Sequence, residues 1–145
     1  MFKSILVPTD GSARSRHAAG AAAELARLSG ARITALHVAP ALKSAAARGA
    51  DASGPPLTPD AHAEEAAATA GKYLDEVQAL AAAAGARCET QFVLSDFPAE
   101  AILKAAGQYG CDTIVIGSRR ESTGHRMGSV AQKVIVDARI PVLVL

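Results

Sequence analysis

The chain has 145 residues, of which 50% are hydrophobic and 20% are charged, which suits one domain with an apolar core. Its 15 basic and 14 acidic residues leave a formal charge of +1, and only 3% of the residues are aromatic. These values argue against nucleic-acid binding, which uses a basic surface and aromatic stacking platforms. No apolar run approaches the roughly 20 residues of a membrane span, and no signal peptide is recognised, so a cytoplasmic location is expected.

Five short apolar runs punctuate the chain, and each is predicted to be a strand. Most of them are nearly continuous and rich in β-branched residues, which is typical of strands buried on both faces of a parallel sheet. They cover residues 5–7, 33–38, 88–94, 113–116 and 141–145.

Four helical patterns separate these runs, at about residues 12–28, 58–85, 97–108 and 129–138. The first pattern places Leu28 on the same buried stripe as several alanines. The resulting βαβ order predicts right-handed crossovers and a parallel sheet with helices on both faces, in a single domain over residues 1–145. Residues 41–57, rich in Ala, Gly and Pro, are expected to form a mobile loop or a lid.

A ligand is expected at the carboxyl ends of these strands, where parallel α/β sheets bind small molecules. Asp10 follows the first strand, and the loop after the fourth strand ends in Gly128 and Ser129 at the start of a helix. Free N–H groups and the helix dipole favour an anion there. Five basic side chains near this turn indicate phosphate; they are Arg119, Arg120, His125, Arg126 and Lys133.

The same residues also have purely structural interpretations. Ser129 and Gln132 match a capping box, in which the Ser129 hydroxyl would cap its own helix. Ser12 would cap the first helix, and Asp10 would stabilise a turn. The basic group would then be an ordinary solvated loop, and the sequence alone leaves both interpretations open.

Familiar catalytic and nucleotide motifs are absent, since the chain contains neither a P-loop nor a G-x-G-x-x-G fingerprint. No nucleophile and base can be paired from the sequence, which argues against an enzyme. His17 and His62 are expected at the surface, and His37 is expected to be a packed or pocket-lining residue. Cys88 and Cys111 lack metal-ligand spacing and are expected to be buried, reduced thiols.

Taken together, the chain resembles the universal stress protein family over residues 2–145. The resemblance rests on six segments: 5–12 (ILVPTDGS), 36–38 (LHV), 99–102 (AEAI), 111–118 (CDTIVIGS), 128–134 (GSVAQKV) and 140–144 (IPVLV). It implies a Rossmann-like, open five-stranded parallel sheet of order 3-2-1-4-5. It also implies a homodimer formed through the last strand, Pro141–Leu145.

One branch of this family binds ATP, and the resemblance carries its contacts onto particular residues. Asp10 would contact the ribose or the metal-phosphate region, with Pro8 and Thr9 beside it, and ATP would bind with or without Mg²⁺. Val38 and Ile116 would flank the adenine. The backbone and hydroxyl groups offered to ribose and phosphates would come from Gly117, Gly128, Ser129 and Val130.

The glycine motif of that branch is altered in this chain. Its second glycine falls at Arg120, and the spacing from Gly117 to Gly128 is two residues shorter than the family pattern. The Arg120 side chain would either block the path of the phosphates or, with Arg119, bind them through guanidinium groups.

Three functions are therefore compatible with the sequence. The first is an ATP-binding dimeric regulator in the stress response. The second is a dimeric interaction module that binds no nucleotide. The third is a slow ATPase or phosphotransferase, for which the sequence offers Asp10 but no base.

Overall fold

The computed structural model describes residues 1–41, 58–118 and 127–145. In these ranges, strands and helices alternate along the chain: β1 (Ser4–Pro8), α1 (Ala13–Ser29), β2 (Arg32–Ala39), α2 (Pro59–Ala83), β3 (Cys88–Leu94), α3 (Pro98–Gln108), β4 (Thr113–Ile116), α4 (Ser129–Asp137) and β5 (Val142–Val144). Apart from Ala41, the expected mobile loop at 41–57 lies outside the described residues.

The strands form one parallel sheet of order β3-β2-β1-β4-β5, which confirms the expected topology. The central strand β1 is buried at all five of its positions. Its Leu6 lies opposite Thr34 of β2 and Ile114 of β4. An apolar run without alternation suits this place because both of its faces meet helices.

Helices cover both faces of the sheet, as expected. On one face, alanines of α1 and residues of α2 pack on Ile5, Val7 and Val115. On the other face, α3 and α4 pack on Leu6 and Ile114. Since alanine is small, α1 can approach the sheet closely, so the alanine-rich composition becomes a tightly packed helical layer.

Leu28 corrects the prediction for the first helix, because its side chain is 70% exposed. The buried face of α1 consists of Ser15 and of alanines that end at Ala26. Leu28 follows two residues later, which places it roughly 200° around the helix at 3.6 residues per turn. It therefore lies on the solvent side.

The two cysteines differ in burial. Both thiols are free; Cys111 is buried, whereas Cys88 is only half-buried because β3 is an edge strand. Burial is still sufficient to raise the pKa of the Cys88 thiol above its ordinary value, and nearby Glu89 raises this pKa further. The expectation of two buried thiols is thus correct for Cys111 alone.

Among the helices that the structure describes, none is long and apolar enough to cross a membrane.

Candidate functional site

A cavity of about 350 Å³ lies at the carboxyl edge of the sheet, where residues following β1 and β4 meet. The strand order reverses at this point, because the chain crosses from β3 at one edge to β4 on the far side of β1. Such a crevice is the usual ligand site of an open parallel sheet, and its volume falls within the range of small-molecule sites.

The structure brings nine of the eleven expected site residues together around this cavity. They are Pro8, Thr9, Asp10, Val38, Ile116, Gly117, Gly128, Ser129 and Val130. The other two, Arg119 and Arg120, lie outside the described residues. Three strand ends and one helix start therefore contribute to a single lining.

Sequence reasoning missed several residues of the lining. Ser95 and Asp96 directly follow β3, and Pro40 directly follows β2. The rule that was applied to the ends of β1 and β4 would have found all three. Ile102 of α3 is a buried core residue that also reaches the cavity.

The loop between β1 and α1 is held by its own hydroxyl and carboxylate groups. Asp10 Oδ1 accepts hydrogen bonds from the Ser12 amide at 3.0 Å and from the Ser15 hydroxyl at 2.9 Å. Ser12 Oγ caps α1 by accepting from the Ser15 amide at 3.2 Å. The structural interpretations of Asp10 and Ser12 are thus confirmed, and Asp10 still lines the cavity.

The start of α4 differs from the predicted capping box. Gly128 is the N-cap, Ser129 is the first helical residue, and no side chain in the described ranges caps this end. The Gly128 amide itself donates to Ser118 Oγ at 3.0 Å. The first turn of α4 therefore brings backbone amide groups to the cavity edge, and no side chain of the described residues caps them.

The cavity is acidic over the part of its lining that the structure describes. Asp10 and Asp96 lie there, and no lysine, arginine, histidine or cysteine does. Asp96 Oδ1 accepts from the Ala41 amide at 3.1 Å. Lys133, expected in the basic group, pairs instead with Glu100 at 3.1 Å outside this lining.

Among the described residues, no group of three or more histidine, cysteine, aspartate or glutamate side chains is placed so that it could hold a metal ion.

Two buried histidines lie behind the lining rather than in it. His37 Nδ1 lies 2.8 Å from the carbonyl oxygen of Thr9, and His62 Nε2 lies 3.0 Å from that of Pro40. The surface position expected for His62 is therefore wrong, because its ring provides a partner for a carbonyl beyond the end of β2. His37 is a packed residue, one of its two expected roles, and His17 is exposed as expected.

Comparison with known proteins gives one consistent family. The model of the universal stress protein family matches residues 1–145. "Universal stress protein in QAH/OAS sulfhydrylase 3'region" from Thermus aquaticus is 34% identical over 148 residues, which cover 100% of this chain and 99% of that protein.

Solved structures agree with this family over nearly the whole chain. The universal stress protein from Archaeoglobus fulgidus superposes with a TM-score of 0.76 at 28% identity, covering 99% of this chain and 98% of that one. A structure of the Archaeoglobus fulgidus universal stress protein in complex with dAMP has a TM-score of 0.71 at 26% identity, covering 98% and 96%. By its sequence along its whole length and by the topology of its sheet, this chain belongs to the universal stress protein family.

Proposed function

We propose that this protein binds an adenine nucleotide, with ATP as the preferred ligand, in the cavity at the carboxyl ends of β1 and β4. The observation that carries the proposal is the convergence of nine residues, expected from the family resemblance, on one lining. The related protein from Archaeoglobus fulgidus, solved with dAMP, supports the same ligand class.

The apolar part of the lining suits a purine base. Val38 and Ile116 are the proposed walls for the adenine, with Leu36 and Ile102 also contributing to the lining. Ile116 and Ile102 are 5% and 3% exposed, so they form a firm aliphatic surface. An adenine ring between such walls would be stabilised by burial of its apolar faces, without an aromatic partner.

The polar part of the lining suits ribose and phosphates. Asp10 is the proposed acceptor for ribose hydroxyls or the ligand of a phosphate-bound Mg²⁺, which carboxylates favour. The amide groups of Ser129 and Val130 at the start of α4 are the proposed phosphate donors. Because Asp10 and Asp96 are both acidic, we expect Mg²⁺ to strengthen binding of the triphosphate.

We further propose that the protein acts as one domain, in a homodimer formed through the edge strand at Pro141–Leu145, and regulates rather than catalyses. In the described residues, β5 pairs only with β4 and leaves its other edge unpaired. Unpaired apolar edges of this kind are normally covered, and a two-fold axis lets one edge cover another.

Calorimetric titration of the purified protein with ATP, ADP, dAMP and GTP, each with and without Mg²⁺, tests the nucleotide proposal. Saturable heat is expected with the adenine nucleotides and not with GTP. Heat-released ligands from the freshly purified protein should include an adenine nucleotide in chromatography. An absence of both signals would overturn the proposal and favour the interaction module.

Two glycine substitutions distinguish an effect on the proposed nucleotide site from a general effect on folding. Gly128→Val fills the turn before α4, and we expect it to weaken ATP binding about ten-fold or more. Gly107→Val is the matched control, because Gly107 lies in α3 with open space around it and outside the cavity lining. Equal affinities of the two variants would contradict the proposed phosphate site.

A further inference from the structure

Helix α2 contributes no residue to the described cavity lining, yet it contacts the segments that do. Tyr73, near its middle, packs edge-on against His37 with ring centroids 5.1 Å apart and an interplanar angle of 75°. His37 in turn contacts the carbonyl of Thr9, which lines the cavity. A chain of contacts thus runs from α2 through β2 to the β1–α1 loop.

The hydrogen bond at Thr9 has a fixed direction. A carbonyl oxygen can only accept, so His37 Nδ1 carries the proton and donates it. Both groups are buried, with His37 7% and Thr9 5% exposed. The Thr9 amide also donates to the Leu36 carbonyl at 2.8 Å, so both backbone groups of Thr9 are held in place.

Tyr73 also contacts the other side of the same loop. Gly11 has a φ of +76°, in the left-handed region that favours glycine, and a Cβ built on it would overlap the Tyr73 ring. The ring therefore lies directly against the Gly11 backbone. Asp10 sits between the two residues that this ring holds, Gly11 directly and Thr9 through His37.

We propose that Tyr73 and His37 are positioning residues that keep Thr9, Asp10 and Gly11 in the conformation that the nucleotide requires. This inference rests on the proposed nucleotide binding. Neither side chain lines the cavity, so their effect on affinity arises through the loop alone. The hydrogen bonds from Ser12 and Ser15 hold Asp10 within the loop, and the contacts of His37 and Tyr73 hold the loop itself against β2 and α2.

Four substitutions test this arrangement by calorimetric titration with ATP. Tyr73→Leu and His37→Leu remove the ring contact and the donor, and each should weaken binding about ten-fold. Tyr73→Phe keeps the ring and should stay within about two-fold of the original affinity. His37→Asn retains an amide N–H near the Nδ1 position and should recover most of the affinity lost in His37→Leu.

Val77→Ala supplies the control for general destabilisation. Val77 lies one turn after Tyr73 on α2, is 1% exposed, and packs in the core cluster formed with α1 and the sheet. Urea unfolding should show a loss of stability at least as large as that of Tyr73→Leu, with ATP affinity within about two-fold of the original. An affinity loss in Val77→Ala equal to that in Tyr73→Leu would overturn the inference.

Hydrogen exchange without nucleotide provides a readout that is independent of the proposed function. The amides of residues 9–12 should exchange faster in Tyr73→Leu than in Val77→Ala, whereas core amides of β1 should not differ between them. If the original protein binds no nucleotide, the proposed function fails while this exchange difference still tests the positioning. Unchanged exchange in residues 9–12 would refute the positioning role, and Tyr73→Leu decides the matter if His37→Leu does not fold.

Discussion

At the scale of single residues, two glycines in the family motifs are required by packing against the protein itself. Gly117 follows β4, and a Cβ there would lie 2.7 Å from the backbone carbon and oxygen of Arg14 in α1. Gly11 is confined by the Tyr73 ring and by its positive φ. Gly117 was expected to present its backbone to a ligand. The close approach of α1 is a second reason for glycine at this position, and the sequence pattern does not reveal it.

Gly117→Ala should destabilise the protein by about 1–3 kcal/mol, because the N-terminal turn of α1 must shift to accept the new methyl group. Chemical denaturation measures this loss. Gly107→Ala is the matched control, since its Cβ would meet nothing within 4 Å and alanine favours a helix by about 0.5–1 kcal/mol over glycine. If both variants shifted stability in the same direction, the close approach to α1 would not be the reason for glycine at 117.

At the scale of secondary-structure elements, the two helices that begin at the cavity start in different ways. Helix α1 is capped by the Ser12 side chain, whereas α4 begins at Ser129, after the N-cap Gly128, with no side-chain cap from the described residues. Both Ser12 and Ser129 were candidates for N-caps from the sequence, and in the described residues only Ser12 caps its helix. The Ser12 hydroxyl accepts a hydrogen bond from the backbone of its own helix, and Ser129 is a residue of the cavity lining.

This difference predicts opposite behaviour of two serine-to-alanine variants. Ser12→Ala should lower the free energy of unfolding by about 1 kcal/mol through loss of the cap. Ser129→Ala should change it by less than about 0.5 kcal/mol, because alanine is the better helix former within the first turn. Thermal or urea unfolding measures both, and we expect Ser129→Ala to reduce ATP affinity instead. A clear loss of stability in Ser129→Ala would instead favour the capping-box interpretation, in which the Ser129 hydroxyl caps α4.

At the scale of the whole molecule, apolar side chains are exposed at both edges of the sheet, including Phe92 and Leu94 on β3. Near β5, Leu143 is 44% exposed, and Ile135 and Val136 on α4 are 41% and 75% exposed. Val142 and Val144, by contrast, pack against the core formed with α3 and α4. The proposed dimer would bury the exposed apolar side chains near β5 and would leave the packing of Val142 and Val144 unchanged.

Leu143→Lys should therefore yield monomers in light scattering or sedimentation, because it places a charge on the proposed two-fold edge. It is a better test than Val142→Lys or Val144→Lys, which would also disturb the core. Leu28→Lys is the control, since Leu28 is exposed at the far end of α1 and outside this edge. Retention of the dimer mass by Leu143→Lys would exclude this interface.

The sequence by itself determined the strands, the helices between them and the edge of the sheet where polar residues collect. These features depend on hydrophobic periodicity and on turn residues, which are local in the chain. The resemblance to a family added the strand order, which the tertiary structure confirmed.

Only the tertiary structure decided which groups contact one another across the chain. His37 meets a carbonyl 28 residues away, Tyr73 rests on Gly11, and Gly117 meets the backbone of Arg14. His62 is buried for the same kind of reason, although it lies in a polar helical pattern. Such contacts depend on the packing of whole elements against each other, and periodicity along a single element carries no information about them.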